Sequence, residues 1–344
     1  MLRLVKRGNI RFVMVLAALG SLVMTGFAQD SLLLKAGQGL EQGDVKWISQ
    51  WPVRDSKQKD KDVKARLRHI IFGARRQVLT RPVSMIADQR GEYWILDQQS
   101  NTIFQVSEGQ GKVPRFLEKK GLDLTSLVGI CKFRQGELLF TDSHLDKIFL
   151  INSDKKTCVV LNDSLKLDKP TGIAYSADHH EIWVVETGKH CIRVLSEGGV
   201  VLRTVGSRGG GKGEFNFPTQ ITISKQGFVY VVDAMNFRIQ VLNNKGDVVS
   251  LFGKNGDGSG SFASPKGIAT DSYGNIYVAD ALFHVVQIFN VTGRLLYTFG
   301  TQGQGEGEFW MPSGVFVDEK DKIYVSDCYN SRVQVFQLIA GGTK

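Results

Sequence analysis

The chain has 344 residues, 42% of them hydrophobic, with 38 glycines and 7 prolines, a globular composition too rich in glycine for a helical bundle and too apolar for wholesale disorder. The formal net charge is +9, but the excess sits at the front: residues 1–28 carry +4, residues 29–78 hold 11 basic and 6 acidic groups, and residues 79–344 hold 28 of each. A domain that grips a phosphate backbone concentrates basic groups on itself, so this distribution argues against a nucleic-acid grip by the main body.

The N-terminus opens with Arg3, Lys6, Arg7 and Arg11, continues with the apolar run FVMVLAALGSLVM over 12–24, and offers small residues at Gly26 and Ala28. This is a secretory signal layout, with cleavage expected after Ala28 and an uncleaved membrane anchor as the alternative. Either reading exports the rest of the chain to the periplasm or the extracellular side, tethered to the inner membrane in the uncleaved case. Residues 29–64 are read as a linker segment, because 54–66 mix both charges without an apolar period; a partner-binding tether is the other reading. Four cysteines (Cys131, Cys158, Cys191, Cys328) make no CxxC pair. Cys131 and Cys158 share a repeat and are open to pairing or to burial as small apolar residues.

From residue 65 onward one pattern returns six times. Its beat is an acidic residue after an apolar run: Asp97, Asp142, Glu186, Asp233, Asp280 and Asp327, at intervals of 45, 44, 47, 47 and 47 residues. A strand-opening residue (Pro82, Leu127, Pro170, Pro218, Pro265, Pro312) precedes each by 15 positions, or 16 in the third copy. In the fourth copy PTQITIS reads as an inner strand, FVYVVD as a second, RIQVLN as a third and DVVSLFG as a fourth. Within the second strand, residues two and four before the acid are apolar on one face. The residue three before it, on the other face, is Trp94, Leu139, Trp183, Tyr230, Tyr277 or Tyr324.

A sheet apolar on both faces must be covered on both. A ring of four-stranded antiparallel sheets around a channel meets that demand, so the fold class expected is all-β, a six-bladed β-propeller. The sixth copy ends without room for its fourth strand. An N-terminal strand is therefore expected to close the ring, and residues 65–73 (ARLRHIIFG) are assigned to it, with the propeller spanning 65–344.

The pattern D..N.RIQVF, preceded by G.IYV and P.GIA.D, resembles the NHL repeat, a six-bladed propeller family. Asp233, Asn236 and Arg238, and again Asp327, Asn330 and Arg332, reproduce the motif in full, whereas the copy at Asp280 has Phe283 and Val285 where Asn and Arg are expected, and the copy at Glu186 has Lys189 and Cys191. The leader and the Trp47 to Trp51 segment are also similar to exported bacterial NHL proteins.

The recurring carboxylates are candidates for a metal or acid–base ring, but one per blade at the same strand end is what capping the following loop requires. GSRGGGKG at 206–213 is one residue from a phosphate-binding P-loop. The same slot recurs as FGKNGDGSG and FGTQGQGEG and precedes a strand, so it is a blade-to-blade connection. Its face, shared with the loops after the motif acids, is the expected ligand face, with Asn236, Phe237, Leu282, Phe283, His284, Lys212, Lys254 and Gln302 as candidate contacts. Propeller lyases hold zinc with histidines and propeller lactonases hold calcium, which makes His144, His190 and His284 the histidines to weigh here. The inner-strand openings place Gln220 and Lys266 near the channel mouth and no carboxylate there for a hard cation.

The function expected is a non-enzymatic binding or scaffold module for a protein, peptide or glycan in the cell envelope, with no cofactor. One alternative is a lyase or lactonase using channel zinc or calcium; a second, implied by the resemblance, is an RNA-binding propeller. Membrane contact is expected through the N-terminal segment alone, if it is uncleaved.

Overall fold

The computed structural model describes residues 43–52, 79–88, 90–107 and 123–340. Strands dominate, and they form six antiparallel sheets in chain order. Blade 1 comprises Pro82–Ala87, Glu92–Asp97 and Thr102–Ser107, three strands among the described residues. Blades 2 to 5 are four-stranded meanders whose inner strands are Leu127–Lys132, Pro170–Ser176, Pro218–Ile223 and Pro265–Thr270. Blade 6 holds Pro312–Val317, Lys322–Asp327 and Arg332–Ala340. Each inner strand lies against the next, and Pro312–Val317 lies against Pro82–Ala87, so the ring is closed.

The expectation of closure by an N-terminal strand holds, but the strand is Gly43–Trp51, which pairs antiparallel with Arg332–Ala340 from Gly43 opposite Ala340 to Trp51 opposite Val333. The outer edge of blade 6 is thereby taken by a strand from within the segment read as a linker; 65–73, assigned to that edge from the sequence, lie outside the described residues. The register explains the choice. Trp51 reaches a slot between blades 6 and 1, with ring centroids 5.7 Å from Tyr324 and 4.7 Å from Tyr93, while Val45 and Trp47 pack on the cluster between blades 5 and 6.

Six apolar clusters fill the six gaps between blades. Val229 and Val231 belong to the gap before blade 4, and Tyr230 and Val232 to the gap after it. Tyr277 and Ala279 likewise face blade 6 while Ile276 and Val278 face blade 4. Alternation along one strand thus feeds two neighbouring cores, which is what a sheet buried on both faces requires.

The inner strands carry a register irregularity just after the opening residue, as between Pro265 and Ile268 and between Pro312 and Val315. Here neighbouring backbones nearly touch. A Cβ at Gly267 would lie 2.4 Å from Ser313 O, and one at Gly314 would lie 2.6 Å from Val83 O, so the glycine of the P.GIA motif permits close approach at the channel mouth.

Candidate functional site

The six motif acids are fully buried at the ends of the second strands. Asp97 accepts from the N–H of Thr80, Arg81 and Ser100, and Asp280 from those of Ala263, Ser264 and Phe283. Burial alone would push Asp142 up, but the N–H groups of Ser126, Thr125, Leu145 and His144 outweigh it and hold the carboxyl below its ordinary range. These acids tie the loop after the second strand to the segment before the first. Glu186 instead meets Arg193 and Lys189.

In blades 4 and 6 the rest of the motif clamps the glycine-rich loop. Arg238 donates to Asp233 Oδ2 at 2.8 Å, to Gly210 O, Gly211 O and Glu214 O, and Asn236 donates to Gly209 O. Arg332 repeats this on Asp327, Gln304 O, Gly305 O and Glu308 O, with Asn330 on Gly303 O. The P-loop look-alike is this clamped connection, and strand Pro218–Ile223 follows it. No helix N-terminus stands there to receive a phosphate.

The residue four after each acid sits in the left-handed region, with φ between 47° and 59°, and in four blades it reaches the next one. Asp146 Oδ1 accepts from Lys169 N at 2.8 Å, His190 Nδ1 from Phe217 N at 3.1 Å and His284 Nδ1 from Met311 N at 3.1 Å, while Ser331 Oγ donates to Thr80 O at 2.8 Å. His190 and His284 therefore spend one ring nitrogen each on joining blades. His144 lies two residues before this position, and His179 and His180 fall in a turn at the other end of blade 3. Among the described residues, no three His, Cys, Asp or Glu side chains are grouped as metal ligands would be. The four cysteines are free thiols. Cys131 lines the channel, where burial pushes its thiol well above the usual range.

The loops after the second strands and the segments before the inner strands form one face. Their backbones are bonded to each other blade by blade: Gln98 N to Arg81 O, Ser143 N to Ser126 O, Thr187 N to Lys169 O, Met235 N to Asn216 O, Ala281 N to Ser264 O and Tyr329 N to Trp310 O. On this fixed frame stand five large apolar side chains, from 42% exposed for Trp310 through Phe217, Tyr329 and Met235 to 56% for Leu282. The Trp310 and Tyr329 rings lie 5.9 Å apart, and the Arg81 guanidinium sits 5.4 Å over Tyr329. The remaining exposed large hydrophobics, apart from Tyr273 in a turn of the opposite face, lie on or beside outer strands. Behind the mouth runs a channel of ≈ 230 Å³ lined by all six inner strands, Gln220 among them; Lys266 is exposed at the opening of its strand.

Of the loop residues expected to meet a ligand, Leu282 is exposed and belongs to the arc. Lys212, Lys254 and Gln302 are exposed on the glycine-rich connections. Asn236 and His284 turn inward to Gly209 O and Met311 N, and Phe237 packs against the core between blades 4 and 5; Phe283 is half-buried. Sequence reasoning missed Phe217, Met235, Trp310 and Tyr329. Their signal is positional, because large apolar residues one or two places before the inner-strand proline, or two after the acid, have no strand face to join.

The NHL repeat model matches residues 309–336, the last repeat. No protein of curated function matches the chain significantly. Among solved structures the fold is similar to virginiamycin B lyase from Staphylococcus aureus (17% identity, TM-score 0.56, covering 76% of this chain and 98% of that one). It is also similar to an auxiliary nutrient binding protein from Bacteroides ovatus (13%, 0.60, 76% and 70%). A chain of a nidogen/laminin complex gives 16%, 0.51, 72% and 84%. At these identities the likeness is one of fold: the chain is a six-bladed β-propeller whose last repeat matches the NHL repeat.

Proposed function

We propose that this propeller is a non-enzymatic recognition module of the cell envelope, exported by its N-terminal segment, and that it binds a partner through the arc Phe217, Met235, Leu282, Trp310 and Tyr329. One observation carries the reading: large apolar groups stand exposed on the loops after the second strands and the segments before the inner strands, whose backbones are bonded to each other and, through Asp146, His190, His284 and Ser331, to neighbouring blades. Apolar groups held out on a rigid frame lose little freedom on binding, which is how preorganised interfaces gain affinity. The similar folds named for nutrient binding and for a laminin complex are compatible with such a role. A zinc site built on His190 and His284 would have to use the ring nitrogens left after the blade-to-blade bonds.

The test is capture of partners from an envelope fraction by the full chain and by two variants. Leu282→Ser with Trp310→Ala should cut retention of the captured species by about tenfold or more, given the energetics of central apolar contacts. Tyr273→Ser, on the opposite face, should leave it unchanged. Loss with Tyr273→Ser but not with the arc variant would reject the assignment.

A further inference from the structure

The charges around the arc narrow the class of partner. The loop positions next to the strand-opening residues and those directly after the motif acids shape the rim of this face. Arg81 in blade 1, Lys169 in blade 3 and Lys266 in blade 5 are the exposed cations next to the strand openings, while Lys189, exposed in the loop after Glu186, is paired with that acid. Lys169 and Lys266 have no ion-pair partner among the described residues. Between them blades 4 and 6 present Phe217 and Trp310. Blade 2 presents Thr125 and Ser126, whose backbones already serve Asp142.

At the strand openings themselves the negative charge is largely withdrawn, whereas the glycine-rich connections carry exposed Asp257 and Glu306 beside exposed Lys212 and Lys254. Among the residues flanking the strand openings, Asp168 is the sole carboxylate, and it lies against its own loop, where a Cβ at Gly188 would be 2.2 Å from Asp168 Oδ1. The motif acids beneath are buried. Three meet cations on the third strands of their own blades (Glu186, Asp233, Asp327), and the others accept from backbone N–H donors. A visiting chain therefore meets cations and apolar surface on the same segments, next to the strand openings.

We infer that the arc receives an acidic peptide segment of a partner protein, one that alternates carboxylates with apolar side chains. This rests on the proposed recognition role and on the same face. Carboxylates answer Arg81, Lys169 and Lys266, and apolar side chains answer the arc. Peptide is favoured over an anionic glycan because Met235 and Leu282, the two most exposed members, are aliphatic. Sugar rings gain most from flat aromatic platforms, whereas aliphatic side chains, and Met above all, adapt to other side chains.

The experiment measures binding of the full chain to synthetic peptides of about twelve residues. One alternates Glu with Leu and Phe; in matched versions Gln or Lys replaces Glu. A uronate hexasaccharide and a short RNA serve as competing anions. The Glu peptide should bind about tenfold tighter than the Gln version, weaken as salt rises, and lose about tenfold with Arg81→Gln, Lys169→Gln and Lys266→Gln combined. Thermal unfolding of that variant checks that it is folded, and the Lys169→Gln, Lys266→Gln pair, which leaves Arg81 on Tyr329, serves if it is not. Equal binding of the Glu and Gln peptides, indifference to the charge changes, or preference for the uronate or RNA overturns the inference. If the arc variant abolishes partner capture while the charge variants bind normally, recognition by this face stands and the acidic class falls. If neither matters, both fall.

Discussion

Arg332 shows how much one side chain of this repeat holds. It is 2% exposed, and its guanidinium donates to Asp327, to three carbonyls of the 303–308 loop and to Gln50 of the closing strand. Removing it strands a buried carboxylate, so Arg332→Met should cost about 3–5 kcal/mol in urea unfolding, and Lys, lacking the planar fork, should not restore it. A loss below about 1 kcal/mol would show that the loop closes without the clamp. The spacing of Asp327, Asn330 and Arg332 was readable in the sequence; that Asn330 and Arg332 donate to backbone carbonyls of a loop some 27 residues earlier was not, since carbonyls leave no mark in a sequence. The aromatic three before the acid was also readable, but its polar tip went unread. Tyr277 donates to Asp271 and Tyr324 to Asp318, each at 2.9 Å, and Trp94 to Asp88 at 3.2 Å. Buried Tyr and Trp need such a partner, and the acid of the P.GIA.D pattern supplies it.

At the scale of elements, the three glycine-rich connections share one form. Gly206, Gly253 and Gly300 each have positive φ, and each lies over a buried phenylalanine nine residues on, Phe215, Phe262 and Phe309. Blade 5 differs in its clamp. With Phe283 and Val285 in the motif places, its connection keeps the tie of Gln287 to Ser261 O, the counterpart of Gln240 to Glu214 O in blade 4 and Gln334 to Glu308 O in blade 6. Installing the missing parts together, Phe283→Asn with Val285→Arg, should stabilise the protein by about 1–2 kcal/mol through new bonds to Asp280 and the loop carbonyls. Chemical denaturation reads this directly, and a net loss would mean that the apolar pair is worth more to blade 5 than the clamp. The departure was visible in the sequence as a broken motif. Its structural meaning needed blades 4 and 6 for comparison.

For the whole molecule, closure is the property on which cooperativity depends. Gly43–Trp51 completes blade 6 and places Trp51 beside Tyr93 of blade 1, so its loss bares the edge of Arg332–Ala340 and opens one of six interblade cores. A chain beginning at Leu79 should therefore unfold about 10 °C or more below one beginning at Gly43, or fail to fold, by calorimetry. Equal midpoints would show that the ring closes without that strand.

The sequence by itself determined the repeat, the number of blades, the two-faced second strands and the need for a closing strand, because periodic burial is written in the residues that are buried. Tertiary structure decided which N-terminal strand fills the last edge, since several short apolar runs satisfy strand pattern equally and only the slot between Tyr324 and Tyr93 selects Trp51. It also decided the face. Whether Asn236 or Trp310 points outward depends on which carbonyls and neighbouring blades lie within reach, and those are set by the closed ring rather than by any single repeat.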